Sequence, residues 1–89
     1  MTQAHVFYSG TVQGIGFRYT VEGLANDLGL KGWVRNLKDG RVELMVEGPQ
    51  EAILQLFEKI NRRFNGYIKD RNISYAAGEG SFEEFRIVF

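Results

Sequence analysis

The chain has no cysteine, one proline, one histidine, one tryptophan and no net charge. Without cysteine there is no disulfide to brace a small fold, no thiolate nucleophile and no thiolate ligand for zinc. That composition suits a reducing compartment. His5 stands alone, and no cluster of His, Cys or carboxylate residues has metal-ligand spacing. No metal and no other cofactor is therefore expected. Eleven basic residues balance eleven acidic ones, whereas a nucleic-acid module normally carries a basic excess to offset backbone phosphates. No apolar run approaches the roughly 20 residues needed to cross a bilayer. Met1 to His5 show no basic region leading into an apolar stretch, so no signal peptide is expected. These absences point to a cytoplasmic protein with no nucleic-acid or membrane partner, and a monomer is expected.

What is present is enough for a small core. The chain is 89 residues long, 44% hydrophobic and 13% aromatic, which allows one domain spanning residues 1–89. Ala4 to Thr11 is apolar with little charge and reads as a strand buried on both faces. Phe17, Val21, Leu24, Ala25 and Leu28 recur at helical spacing, with Gly29 as the C-terminal cap. Leu30 to Leu37 returns to strand character, and Asp39-Gly40 marks a tight turn into the alternating strand Val42–Val46. Gly48-Pro49 opens a second helix, with Pro49 at its first position. Its stripe is Ala52, Ile53, Leu56, Phe57 and Ile60. Arg62 and Arg63 fall in the last turn, where cations are favoured, and Asn65-Gly66 ends it. Tyr67 to Ala76 forms a strand anchored by Ile68 and Ile73. Phe85, Ile87 and Phe89 alternate in a final strand. The order is β-α-β-β-α-β, a ferredoxin-like α+β sandwich with an antiparallel sheet and two helices on one face. That topology fixes no function.

The connection between the first strand and the first helix is the most informative stretch. It reads Gly10-Thr11-Val12-Gln13-Gly14-Ile15-Gly16-Phe17-Arg18, with three glycines in seven residues. Glycine lets main-chain N–H groups converge, and the N-terminus of a helix favours an anion. Arg18, in the first turn, faces the positive end of the helix dipole, an unfavourable placement that a bound anion reverses. Its planar fork suits two oxygens of a phosphoryl group. On the glycines alone, a plain tight turn with a solvated arginine is the commoner case. Asn36, before the Asp39-Gly40 turn, has an equally plain reading, because asparagine favours turns for backbone reasons.

Taken together, two stretches tip the balance. Gly10 to Arg18 resembles the first signature of the acylphosphatase family. Gly32-Trp33-Val34-Arg35-Asn36-Leu37-Lys38-Asp39-Gly40-Arg41-Val42, followed by Glu47-Gly48-Pro49, resembles the second. The resemblance is firm from Val6 to Pro49. Ile15 stands where valine is usual, and residues 62–81 lack the Gly-Pro-containing stretch expected after the second helix. The resemblance implies hydrolysis of acyl phosphates, R–CO–O–PO₃²⁻, to a carboxylate and inorganic phosphate. It also implies that no metal takes part and that no phosphoenzyme forms. The main-chain N–H groups of Gln13, Gly14, Ile15, Gly16, Phe17 and Arg18 would cradle the phosphate. Arg18 would bind it, and Asn36 would position the attacking water.

The chemistry is self-consistent, because a carboxylate leaving group needs no general acid. Catalysis then reduces to holding the phosphoryl group, neutralising charge and aligning water. Two alternatives remain: a phosphate- or acyl-phosphate-binding module without turnover, and an RNA-binding ferredoxin-like domain using Trp33, Phe7 and Tyr8 as stacking platforms. Core packing is the expected role of those three aromatics.

Overall fold

Alternating apolar residues meet two amphipathic helices across one layer boundary, and this sets the architecture of the computed structural model, which describes residues 1–89. The elements are β1 (Thr2–Gly10), α1 (Phe17–Asp27), β2 (Lys31–Asn36), β3 (Val42–Gly48), α2 (Gln50–Arg63), β4 (Ile68–Ala77) and β5 (Phe85–Ile87). The sheet order is β4-β1-β3-β2-β5. The first four strands pair antiparallel, and β5 adds to the edge parallel to β2. The ferredoxin-like α+β fold is present, with the sheet made mixed by that last strand.

The core gathers Ala4, Val6 and Tyr8 of β1, Val42, Leu44 and Val46 of β3, and Val34 of β2. Against them pack Phe17, Val21 and Ala25 of α1 and Ile53, Leu56, Phe57 and Ile60 of α2. Tyr8, Phe17 and Phe64 pack in sequence, edge-to-face and then tilted, with ring centroids 5.1 and 4.7 Å apart. Gly29 takes a positive φ of 70° just past α1, as the C-terminal glycine of a helix commonly does.

Four expectations are corrected. β1 is buried on one face only: Gln3, His5 and Phe7 alternate with its core residues and are half-buried. Both helices share one side, so the other face of this largely antiparallel sheet stays open. Phe7 and Trp33 consequently lie on that open face rather than in the core, with the guanidinium of Arg41 4.7 Å from the Phe7 ring centre and that of Arg35 5.1 Å from that of Trp33. Pro49 caps α2 with extended backbone, φ −60° and ψ 138°, so the helix begins one residue later, at Gln50. The last strand ends at Ile87, leaving Phe89 90% exposed.

Two acidic residues are buried under the open face. Glu47, 1% exposed, accepts hydrogen bonds from Gln3 Nε2 and from the main-chain N–H groups of Glu79 and Ser81, tying the β4–β5 connection to the sheet. Glu43 lies between His5, whose Nε2 is 2.6 Å from one carboxylate oxygen, and Arg35, whose Nε donates to the other at 2.7 Å. Burial pushes the Glu43 carboxyl up, but the hydrogen bonds from His5 and Arg35 and the charge of both outweigh it. The carboxyl is held below its ordinary value of 4.5.

A depressed carboxyl gives stability that is complete above the ordinary value and is lost as pH falls toward the folded value, because the unfolded chain takes up the proton first. Glu43→Gln is expected to cost about 1–2 kcal/mol at neutral pH. It is also expected to flatten the loss of stability below about pH 4.5. Urea midpoints of both proteins across that range check this, and equal acid slopes would contradict it.

Candidate active site

Strand pairing brings the two motif segments to one end of the sheet. β1 and β2 both run antiparallel to β3, so they are parallel to each other and their C-terminal ends point the same way. Only β3 separates them, a spacing of about 9–10 Å. The register is specific: Tyr8 and Asn36 flank the same residue, Val42, on opposite sides. The glycine loop leaves β1 two residues after Tyr8, and the hairpin turn begins directly after Asn36.

Backbone conformation leaves the loop with a run of free donors. Gly14 and Gly16 both have φ of 78°, where side chains other than glycine are strained. Gly16 is also the N-terminal cap of α1 and offers no side chain to bond the first helical N–H groups. Main-chain N–H groups from Val12 to Gly16 donate to no main-chain or side-chain acceptor in the protein. Those of Phe17, Arg18 and Tyr19 belong to the first turn, where no intrahelical partner exists. No acidic residue occupies that turn, whereas the first turn of α2 carries Glu51. The positive end of α1 is therefore uncompensated by the chain itself.

A cavity of about 170 Å³ sits there, lined by Val12, Gly14, Gly16, Phe17, Arg18, Tyr19 and Asn36. It contains one cation and no carboxylate. The guanidinium of Arg18 lies 4.9 Å from the centre of the Phe89 ring and joins none of the four ion pairs of the protein. Asn36 Oδ1 is buried without a hydrogen-bond partner. A buried acceptor left so costs about 1–3 kcal/mol. A larger hollow of about 400 Å³, by Trp33, Phe82, Glu83, Glu84 and Arg86, has two carboxylates that disfavour a phosphate. Size does not select the site here; the donor set does.

The structure thus brings Gly14, Gly16, Phe17, Arg18 and Asn36 to one cavity. Gln13 and Ile15 flank it: Ile15 packs against the core, and the Gln13 side chain turns toward the hairpin. Val12 and Tyr19 also line the cavity, and Phe89 meets Arg18. For Val12 and Tyr19 the available signal was adjacency to the loop glycines and to Arg18. For Phe89 there was none, because 71 positions separate it from Arg18.

Comparison with known proteins decides the family. The family model described as Acylphosphatase matches residues 4–87. This chain belongs to the acylphosphatase family. An acylphosphatase of Haloquadratum walsbyi is 45% identical over 80 residues, covering 89% of this chain and 86% of that one. An acylphosphatase of Bacillus pumilus is 42% identical over 89 residues, 98% of each chain. The crystal structure of acylphosphatase from Bacillus subtilis superposes with a TM-score of 0.92 at 35% identity, covering all of both chains. The chain is accordingly a hydrolase with acylphosphatase activity, and the family match extends past the second motif through β4 and β5. No helix is long and apolar enough to cross a membrane.

Proposed function

We propose that the chain hydrolyses the carboxyl–phosphate bond of small acyl phosphates by direct attack of water on a phosphoryl group held in the α1 cavity. The main-chain N–H groups of Gln13 to Arg18 cradle the phosphoryl oxygens, and the Arg18 guanidinium binds them. Asn36 Oδ1 accepts a hydrogen bond from the water and aims its lone pair at phosphorus. The observation that carries this is that Asn36, whose Oδ1 is buried and unpartnered, lines the same cavity as Val12, Gly14 and Gly16, whose main-chain N–H groups are free.

The O–P bond to the carboxyl breaks as the new one forms, and its electron pair leaves with the carboxylate. One water proton stays on the new P–O bond and the other passes to a phosphate oxygen. R–CO–O–PO₃²⁻ and water thus yield R–COO⁻ and H₂PO₄⁻. An amide does not titrate, so Asn36 orients the water without serving as its base. The reaction needs positioning and charge stabilisation and no metal.

The chain acts in this reading as a cytoplasmic monomer without a nucleic-acid partner. Its zero net charge supports the absence of a nucleic-acid partner. So do Arg35 and Arg41, which pack against the rings of Trp33 and Phe7 where an RNA base would need to stack. Hydrolysis of benzoyl phosphate by the purified chain in excess EDTA tests the reading. Full activity is expected; activity abolished by EDTA and restored by a divalent cation would overturn it, and phosphate binding without turnover would favour a binding module.

A further inference from the structure

The side chain of Gln13 points away from the cavity. Its amide nitrogen donates to Leu37 O at 2.8 Å and to Arg41 O at 2.9 Å. A primary amide has two N–H groups, so both donors are committed to the far hairpin, 24 and 28 positions along the chain. The two acceptors are the ends of the β2–β3 turn, which Leu37 N–H to Arg41 O closes at 2.8 Å. Leu37 is the residue next to Asn36.

We infer that Gln13 is a positioning residue that fixes the distance between the phosphate cradle and Asn36. Its main chain belongs to the cradle and its side chain grips the hairpin one residue from Asn36. A single residue thereby sets the register between the group that holds phosphorus and the group that aims the water. β3 separates the two parent strands, so sheet pairing alone defines this distance only through Val42, at the ends of both strands. The loop beyond Gly10 and the turn beyond Asn36 make no other hydrogen bond to each other.

The inference rests on Asn36 orienting the attacking water. It separates two quantities. Holding a phosphate needs only the cradle and Arg18, whereas turnover needs the cradle and Asn36 in register. A misplacement of about 1 Å in such a pair costs on the order of a hundredfold in rate. Gln13→Met keeps the length and removes both donors. It is expected to lower kcat for benzoyl phosphate by about ten- to a hundredfold and to leave the dissociation constant for inorganic phosphate within about threefold.

The readouts are steady-state kinetics and calorimetric titration with inorganic phosphate, on Gln13→Met, Asn36→Ala and the double variant. Retained phosphate binding shows that the cradle of Gln13→Met is folded. In the Asn36→Ala background, Gln13→Met is expected to cause no further loss of kcat, because the group it positions is gone. Full additivity would overturn the inference, as would unchanged kcat in Gln13→Met. Phosphate binding lost together with kcat would also overturn it, since the bonds would then hold the cradle itself. If Asn36→Ala alone kept normal turnover, the water-positioning reading would fall, a result distinct from failure of Gln13→Met.

Discussion

Arg18→Ala is expected to lower kcat/KM for benzoyl phosphate by about a thousandfold or more and to abolish measurable binding of inorganic phosphate. Arg18 is the only cation lining the cavity, and no carboxylate pairs with it. Its charge sits in the first turn of α1, where the helix dipole opposes it. An anion bound between the two removes that opposition, so the guanidinium and the free N–H groups reinforce each other only when phosphate is present. Phosphoryl-transfer sites that lose such an arginine fall by about 10³–10⁵ in rate. Stability should respond in the opposite sense, with Arg18→Ala neutral or slightly stabilising, because it removes an uncompensated cation. Arg18→Lys keeps the charge but loses the planar fork, and an intermediate loss is expected. Steady-state kinetics, phosphate titration and urea unfolding on the same preparations check all three. Near-parental turnover in Arg18→Ala would contradict the assignment.

Asn36→Ala has a different expected profile. Removing one preorganised group at the reacting centre costs about 3–4 kcal/mol of transition-state stabilisation, a loss of a few hundredfold in kcat. Phosphate binding should survive, because the N–H groups of the loop and Arg18 remain. The protein should be no less stable, since the substitution removes a buried acceptor that the fold leaves without a partner. Binding lost with Arg18 and turnover lost with Asn36 is the division of labour that the cavity implies. Equal loss of binding in both variants would place Asn36 in the cradle and remove its role with water.

Much of this fold and site is legible locally. The stripe Phe17-Val21-Ala25, the glycines at 10, 14 and 16 and the Asp39-Gly40 turn each follow from short-range rules of spacing and backbone freedom. They are why the loop and Arg18 stand out in the sequence itself. The two-signature resemblance raises Asn36 from an ordinary turn residue to a site candidate. What escapes a local reading depends on partners distant in the chain. The parallel docking of β5 on β2 is set by where α2 and β4 deliver the chain, not by the pattern of Phe85 and Ile87. The one-sided burial of β1 follows from both helices choosing one face. Alternation in Val6-Phe7-Tyr8 is masked because the outward residue is itself aromatic. His5 and Glu43 are 38 positions apart, and the Gln13 side chain bonds residues 24 and 28 positions away. Side-chain pairs at such separations leave no periodic trace in one sequence.

Water attacking phosphorus in the α1 cavity is tested most directly by a single-turnover hydrolysis of benzoyl phosphate in ¹⁸O-water, with mass analysis of both products. Attack at phosphorus places one labelled oxygen in the inorganic phosphate and leaves the benzoate unlabelled. Label in the benzoate would mean attack at the carbonyl carbon. The cradle would then hold a leaving group, and Asn36 would not be aiming water at phosphorus.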